Sequence, residues 1–311
     1  MKALIKKSTG VEVAGTSIPE LRNPDDVLIR IALAGLCRTD IYVAEGRIPT
    51  RNPLILGHEF SGIVEQVGKD ATHIQENARV AVMPLFAPAN DFKLKNGLTN
   101  YAGGTMMGID HDGAFSEYVV VPASAVFKLP DQVSLMQGAY MEPVAASLAV
   151  INASIQPHEK GLIFGDNRIS RLTERIMRAK GFNNLEVCES SEILPPNAYD
   201  FIIETFASTE TMTKITDAVK PGGRIILKSR QHTPVAFNIN KLVMKDIILE
   251  SVSYGSFQEG IDLIASGFLK VDDLFGDVFP LEKFETVFAE SSRAESKKLF
   301  FSAADRHVWD S

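Results

Sequence analysis

Cysteine is nearly absent, with only Cys37 and Cys188 in 311 residues. Two thiols exclude the disulfide framework of a small secreted domain and leave a reduced cysteine available as a metal ligand. Long apolar runs are also missing. The longest, around 144–155, is broken by Ser147, Asn152 and Ser154 and is too short to cross a bilayer as a helix. The opening residues, MKALIKKSTG, turn polar too early to supply the apolar centre of a signal peptide. No run of Lys or Arg stands out, and acidic residues outnumber basic ones 39 to 32, which argues against a phosphate backbone as partner. These absences point to the cytoplasm, with neither nucleic acid nor membrane as partner. Equally lacking are a G-x-S-x-G nucleophile elbow, a G-x-x-x-x-G-K-[ST] phosphate loop and an H-E-x-x-H pair.

What is present is an ordinary folded-protein balance, 45% hydrophobic and 23% charged residues, which excludes disorder over most of the chain. The length favours two domains. Residues 1 to about 130 read as short strands separated by turn residues: KALIKK, DVLIRIALAG, GIVEQVG, ARVAVM and SEYVVVPAS. From about 160 strands alternate with amphipathic helices: GLIFG, SRLTERIMRAKG, LEVCES, DFIIET, TMTKITDAVK and GGRIIL. Such alternation predicts an α/β unit with a parallel sheet covered by helices. SFQEGIDLIASG reads as a further helix, and the strand signals after it, FGDVFPLEKF and SKKLFFSA, are placed to rejoin the first domain. The expected division is 1–148 with 275–311, and 149–274.

Cys37, in AGLCRTD, and His58, in LGHEFSG, each follow an apolar strand-like run. Thiolate and imidazole suit zinc, and a catalytic zinc site needs three protein ligands with one position open. Glu142, in GAYMEPVAAS, is the natural third. Taken singly, a cysteine is more often a small core hydrophobe and a histidine beside a glutamate a common loop feature. The combination carries the weight.

The strings GLCRTD, GHEFSGIVEQVG, DGAFSEYVVVP and MEPVAASLAV, in that order, resemble the zinc-dependent medium-chain dehydrogenases, a family that includes alcohol, sorbitol and threonine dehydrogenases. KPGGRIIL and VFPLEKFETVF resemble its later segments, so the likeness spans nearly the whole chain. It implies a β-rich GroES-like catalytic domain and a Rossmann-type nucleotide-binding domain. It makes Cys37, His58 and Glu142 zinc ligands, with Glu59 near enough to enter the coordination shell during turnover. Thr39 matches the hydroxyl that passes the substrate proton outward. Asp40 matches the carboxylate that orients the ligand histidine, with a loop cap as the competing role. Arg38 matches a position that meets the cofactor pyrophosphate, or else forms a surface ion pair. The implied cofactors are Zn2+ and NAD or NADP, and the implied assembly a homodimer or homotetramer acting on a small molecule.

Two departures from that family stand out. The loop from Pro84 to Thr105 has none of the four cysteines that hold a second, structural zinc in many members. The Asp110, His111, Asp112 cluster nearby reads as a polar turn rather than a replacement metal site. The glycine-rich turn after GLIFG is also altered: in place of G-x-G-x-x-G it runs Gly165, Asp166, Asn167, Arg168, Ile169, Ser170, keeping only the first glycine. Asn167 tolerates a left-handed backbone and Ser170 is small, so a turn can still form. A side chain at 167 nevertheless points toward the expected phosphate, Asp166 adds repulsion, and Arg168 offsets part of it. The short connection SEILPPNAY implies an abbreviated sheet. Glu189 stands near the usual place of the acid that hydrogen-bonds a ribose, or is an exposed strand-end acid.

Three functions compete on this reading. The first is a zinc-dependent oxidoreductase moving hydride between an alcohol or polyol and NAD(P). The second is a zinc lyase, isomerase or hydratase that has lost its cofactor, and the third a non-catalytic relative. Tyr42, Phe60, Tyr101 and Met107 are pocket candidates only by nearness to motifs, with core packing the commoner role. The run DIILESVSYG is compatible with an edge strand that pairs across a two-fold axis.

Overall fold

The computed structural model describes residues 1–86, 104–189, 191–230, 233–291 and 297–303. They form two compact units, Met1–Val144 with Phe257–Ser311, and Ala145–Ser256.

The first unit is built of short strands: β1 (Lys2–Lys7), β2 (Gly10–Gly15), β3 (Asp26–Gly35), β4 (Leu54–Ile55), β5 (Glu59–Val67), β6 (Arg79–Val82), β7 (Leu85–Phe86), β8 (Thr105–Met106), β9 (Tyr118–Pro122) and β10 (Val126–Lys128). Helix α1 (Arg38–Ala44) follows β3, and α2 (Leu135–Ala139) and α3 (Met141–Leu148) follow β10. β3 is the organising strand. Its sequence, DVLIRIALAG, is apolar on both faces and almost wholly buried, as a central strand must be. It pairs antiparallel with both β5 and β9. Val27, Ile29, Ile31, Phe60, Val64, Val80 and Phe115 are among the residues of the core beneath it.

The second unit alternates strand and helix: β11 (Gly161–Phe164), α4 (Arg168–Ala179), β12 (Leu185–Cys188), β13 (Tyr199–Glu204), α5 (Thr209–Ala218), β14 (Val219–Leu227), α6 (Ile239–Met244) and β15 (Ile248–Ser251). The five strands are parallel in the order β12-β11-β13-β14-β15. Alternate residues feed two cores. Leu162, Phe164, Ile202 and Ile225 pack with Met212 and Ile215 of α5, while Ile163, Phe201, Ile203 and Ile226 pack with Met177 of α4. Burial on both faces explains the unbroken apolar runs GLIF and FII. The order reverses at β11, from which the chain goes first to β12 and then to β13 on the other side. Crevices at such reversals, beyond the carboxyl ends of the strands, are where doubly wound sheets take ligands. As SEILPPNAY implied, the sheet stops at β12.

The chain then returns to the first unit through α7 (Phe257–Ala265), β16 (Phe275–Pro280), α8 (Phe284–Ser291) and β17 (Lys298–Ser302). The return starts at 257 rather than at the expected 275, because α7 packs with the first unit: the rings of Phe127 and Phe257 lie 4.8 Å apart. β17 inserts beside β3, antiparallel to it and parallel to β16, completing a seven-stranded sheet, β10-β6-β5-β3-β17-β16 with β9 on β3. Among the described residues no helix is long and apolar enough to cross a membrane.

Candidate functional site

The pairing of β3 with β5 places Gly35 opposite Glu59. The residues just past the end of β3 therefore meet those at the start of β5, which brings Cys37 to His58. The ligand atoms of Cys37, His58 and Glu59 all lie within 4.8 Å of one another, and no other trio of metal-binding side chains does so among the described residues. His58 and Glu59 are each 1% exposed. Gly57 makes the approach possible. Its φ is +99°, and a Cβ there would stand 2.8 Å from the backbone nitrogen of Phe115.

Asp40 ties the cluster together. Cys37 stands at the N-cap of α1, so Asp40 falls three residues into the first turn and points back toward the start of the helix. Its Oδ2 accepts from the Cys37 amide at 2.9 Å, and its Oδ1 accepts from the Gly57 amide at 3.2 Å and contacts His58 Nδ1 at 3.0 Å. Both expected roles, loop cap and histidine partner, are filled by one carboxylate. With Nδ1 engaged, Nε2 is the imidazole atom left for a metal. Thr39 sits half-buried on the same turn and Arg38 is exposed.

Glu142 lies in the first turn of α3 and is 6% exposed. It lies outside the close trio, near enough for its charge to act on Glu59. Burial lifts the Glu59 carboxyl above its ordinary value; Lys298 opposes this, and Glu142 adds to it. Burial also disfavours a charged His58, yet Asp40 and Cys37 together outweigh it and hold that imidazole well above its usual value. A metal entering here displaces that proton, so acid opposes uptake. A half-buried thiol, an oriented imidazole and two carboxylates, with one close trio, are a donor set that fits zinc.

Lys298 is the residue that sequence reasoning missed. It is fully buried on β17, its Nζ forms an ion pair with Glu59 Oε2 and donates to the Leu36 carbonyl at 2.8 Å. Gly35 leaves room for it, since a Cβ there would come within 2.5 Å of Lys298 Cε. The signal was a single lysine at the head of an apolar strand, KLFFS, where a buried charge needs a partner.

The altered glycine turn joins β11 to α4. Gly165 keeps a φ of +116°, and a Cβ there would meet Thr205 Oγ1 at 2.6 Å. Asn167 departs from expectation: its φ and ψ are −143° and 173°, extended rather than left-handed, because it serves as N-cap of α4. Its Oδ1 accepts from the amides of Ile169 at 2.9 Å and Ser170 at 3.0 Å. Arg168 is half-buried, and it is Arg171 that pairs with the exposed Asp166, at 3.4 Å. Glu189 is exposed just past β12, its carboxylate accepting from the Ser191 hydroxyl at 3.4 Å.

The remaining candidates are structural. Asp110 accepts from the Met106 amide, His111 contacts the Thr105 hydroxyl, and Asp112 pairs with Arg51, so that cluster is a turn. Phe60 and Met107 are core residues, and Tyr42 lies under the Arg47 guanidinium. Tyr101 and most of the loop from Pro84 to Thr105 lie outside the described residues.

Residues 23–131 match the model of the alcohol dehydrogenase GroES-like domain. The chain is 27% identical over 328 residues to "Probable D-xylulose reductase A" of Aspergillus clavatus, covering 92% of this chain and 91% of the relative. Over nearly its whole length the chain is similar to zinc-dependent medium-chain dehydrogenases. It is 26% identical over 337 residues to the D-xylulose reductase of Morganella morganii, with 96% and 99% covered. Its fold is shared with the acetophenone reductase of Geotrichum candidum, solved in complex with NAD, at a TM-score of 0.84 and 20% identity over 98% of each chain. The names of these relatives support reading the chain as an alcohol dehydrogenase-like oxidoreductase.

Proposed function

We propose that this zinc enzyme interconverts a polyol and the corresponding ketose with a nicotinamide dinucleotide, acting on a small, uncharged, hydroxyl-rich substrate. The observation that carries the reading is the close trio of half-buried Cys37 with buried His58 and Glu59, and Asp40 behind the imidazole. The named activity of the D-xylulose reductases supports the substrate class.

In this reading Cys37 and His58 hold the zinc, and Glu142 and Glu59 supply the carboxylates. A zinc ion held there would supply Lewis-acid lowering of the pKa of a bound hydroxyl, and a bound nicotinamide would supply the hydride acceptor. Asp40 fixes the imidazole tautomer and raises its basicity. Lys298 holds one oxygen of Glu59 in an ion pair and so fixes the carboxylate beside the thiol and imidazole. Thr39, on the same turn as Cys37, carries the substrate proton toward water. Arg38, Gly165, Arg168 and Glu189 belong to the cofactor side. An acidic Glu189 at the end of β12 favours NAD over NADP. The enzyme works in the cytoplasm as a homodimer or homotetramer. The edge position of β15, with Ile248 at 49% and Val243 of α6 at 65% exposure, supports association through the second unit.

The test is absorbance at 340 nm with zinc-loaded protein, NAD or NADP, and a panel of polyols and ketoses. Reduction of NAD by a polyol is the expected result. Metal-dependent turnover that needs no nicotinamide would replace the reading with a non-redox one.

A further inference from the structure

At the start of α4 a closed circuit of hydrogen bonds occupies the groups that a dinucleotide would use. Asn167 Oδ1 accepts from the amides of Ile169 and Ser170. The Asn167 amide donates to Ser170 Oγ at 3.3 Å, Ser170 Oγ contacts Thr205 Oγ1 at 2.8 Å, and Thr205 Oγ1 donates to the Phe164 carbonyl at 2.9 Å. Asn167 Nδ2 donates to Thr205 Oγ1 at 3.2 Å. The Asn167 carboxamide is thus held from both ends, by the helix amides through its oxygen and by the end of β13 through its nitrogen.

In the glycine form of this turn the corresponding position has no side chain, and the amides at the helix start are open to a pyrophosphate. Here the sheet, the reversal of strand order at β11 and the positive φ of Gly165 all fit a dinucleotide, while the amides at the helix start are already bonded. A phosphate oxygen would make stronger, charge-assisted bonds to them than a neutral carboxamide does. It must first displace the carboxamide and break its bond to Thr205.

We propose that Asn167, latched by Thr205, is an internal occupant of the cofactor's phosphate site, so that the dinucleotide binds only to the fraction of molecules in which this side chain has swung away. This rests on the oxidoreductase reading above. Apparent affinity scales with that open fraction, so an open population of about one in ten weakens binding about tenfold. The latch sets the cofactor Kd without touching the metal. Removing the side chain costs the helix little, because glycine is itself a tolerated N-cap.

The experiment is a calorimetric titration of NAD and NADH into zinc-loaded full-length protein, wild type and three variants. Asn167→Gly is expected to tighten binding about tenfold. Thr205→Val, which keeps the shape but removes the acceptor, is expected to tighten it by a smaller factor. Asn167→Asp keeps the cap, adds a negative charge and is expected to weaken it. In the free Asn167→Gly protein the amides of Ile169 and Ser170 should exchange with solvent faster, and NAD should slow them again. Wild-type binding that Asn167→Gly leaves unchanged or weakens, with the melting temperature preserved, overturns the latch and leaves the oxidoreductase reading intact. Absence of binding by every variant at millimolar dinucleotide overturns both.

Discussion

Helices α1 and α4 begin alike. Each starts at the end of a buried strand with a residue at the N-cap and, three positions on, a side chain that reaches back to the cap amide: Cys37 with Asp40, and Asn167 with Ser170. At α1 the motif exports its functional atoms. Asp40 holds the Cys37 and Gly57 amides and the His58 ring together, and the thiol and imidazole converge within metal-binding reach. At α4 it turns inward, because the capping side chain is itself the acceptor and takes the amides a phosphate would need. One local device opens a site or fills it, depending on whether the cap residue can satisfy the helix by itself. Sulfur is a weak acceptor and leaves the work to Asp40; a carboxamide is a strong one.

The comparison breaks most directly at the metal. Cys37→Ala or His58→Ala should abolish stoichiometric zinc in elemental analysis and lower polyol turnover by roughly a thousandfold or more, the scale lost with a major electrostatic stabiliser. Zinc retained at full occupancy in either variant would mean that α1 does not present a metal site.

Next in size is the support behind the metal. Lys298→Met leaves the Glu59 carboxylate buried without its cation and should cost about 3–5 kcal/mol in urea unfolding, while Lys298→Met with Glu59→Gln should recover most of that. A double variant no more stable than the single one would show that the lysine acts through packing. Asp40→Asn keeps shape but not charge. It should weaken zinc binding about 10–100-fold in competition with a chelator.

The smallest effect sharpens the other half. Glu204, at the carboxyl end of β13, is 1% exposed; its Oε2 accepts from the Ser229 amide at 3.3 Å, and its Oε1 has no hydrogen-bond partner among the described residues. Burial raises its carboxyl above the ordinary glutamate value, against smaller opposing contacts from Ser229 and Lys228. The folded state therefore favours the protonated form. Its stability contribution is complete below the ordinary glutamate range and is lost as pH rises through the elevated value. Glu204→Gln should raise stability at neutral pH by about 1 kcal/mol and remove that part of the pH slope, measured by urea unfolding at several pH values. A slope unchanged by the substitution would place the titration elsewhere.

Much of this was legible in the sequence. Cys37 and His58 stood out because each closes an apolar run. The shortened sheet showed in the brief passage from LEVCES to DFIIET. The position of Asp40 came from the family resemblance, and the structure adds that its two competing roles are one. Lys298 was hidden because its partner is joined to it only when β17 settles beside β3, a contact that no local pattern encodes. Thr205 was hidden likewise: a threonine after a buried strand is unremarkable until the start of α4 is folded against it. Asn167 was seen, but as a residue suited to a left-handed turn. The pattern Asn167-x-x-Ser170 also spells a capping arrangement, and that competing reading is the one the backbone adopts.

The burial of Lys298 against Glu59 also orders events in time. A ribosome makes the thiol, imidazole and carboxylate of the metal cluster early, and the lysine only after the entire second unit has been threaded through. Until β17 is in place, the carboxylate beside the thiol lacks its permanent counter-charge. The charge balance of the cluster is therefore completed only when β17, made after the whole second unit, docks beside β3.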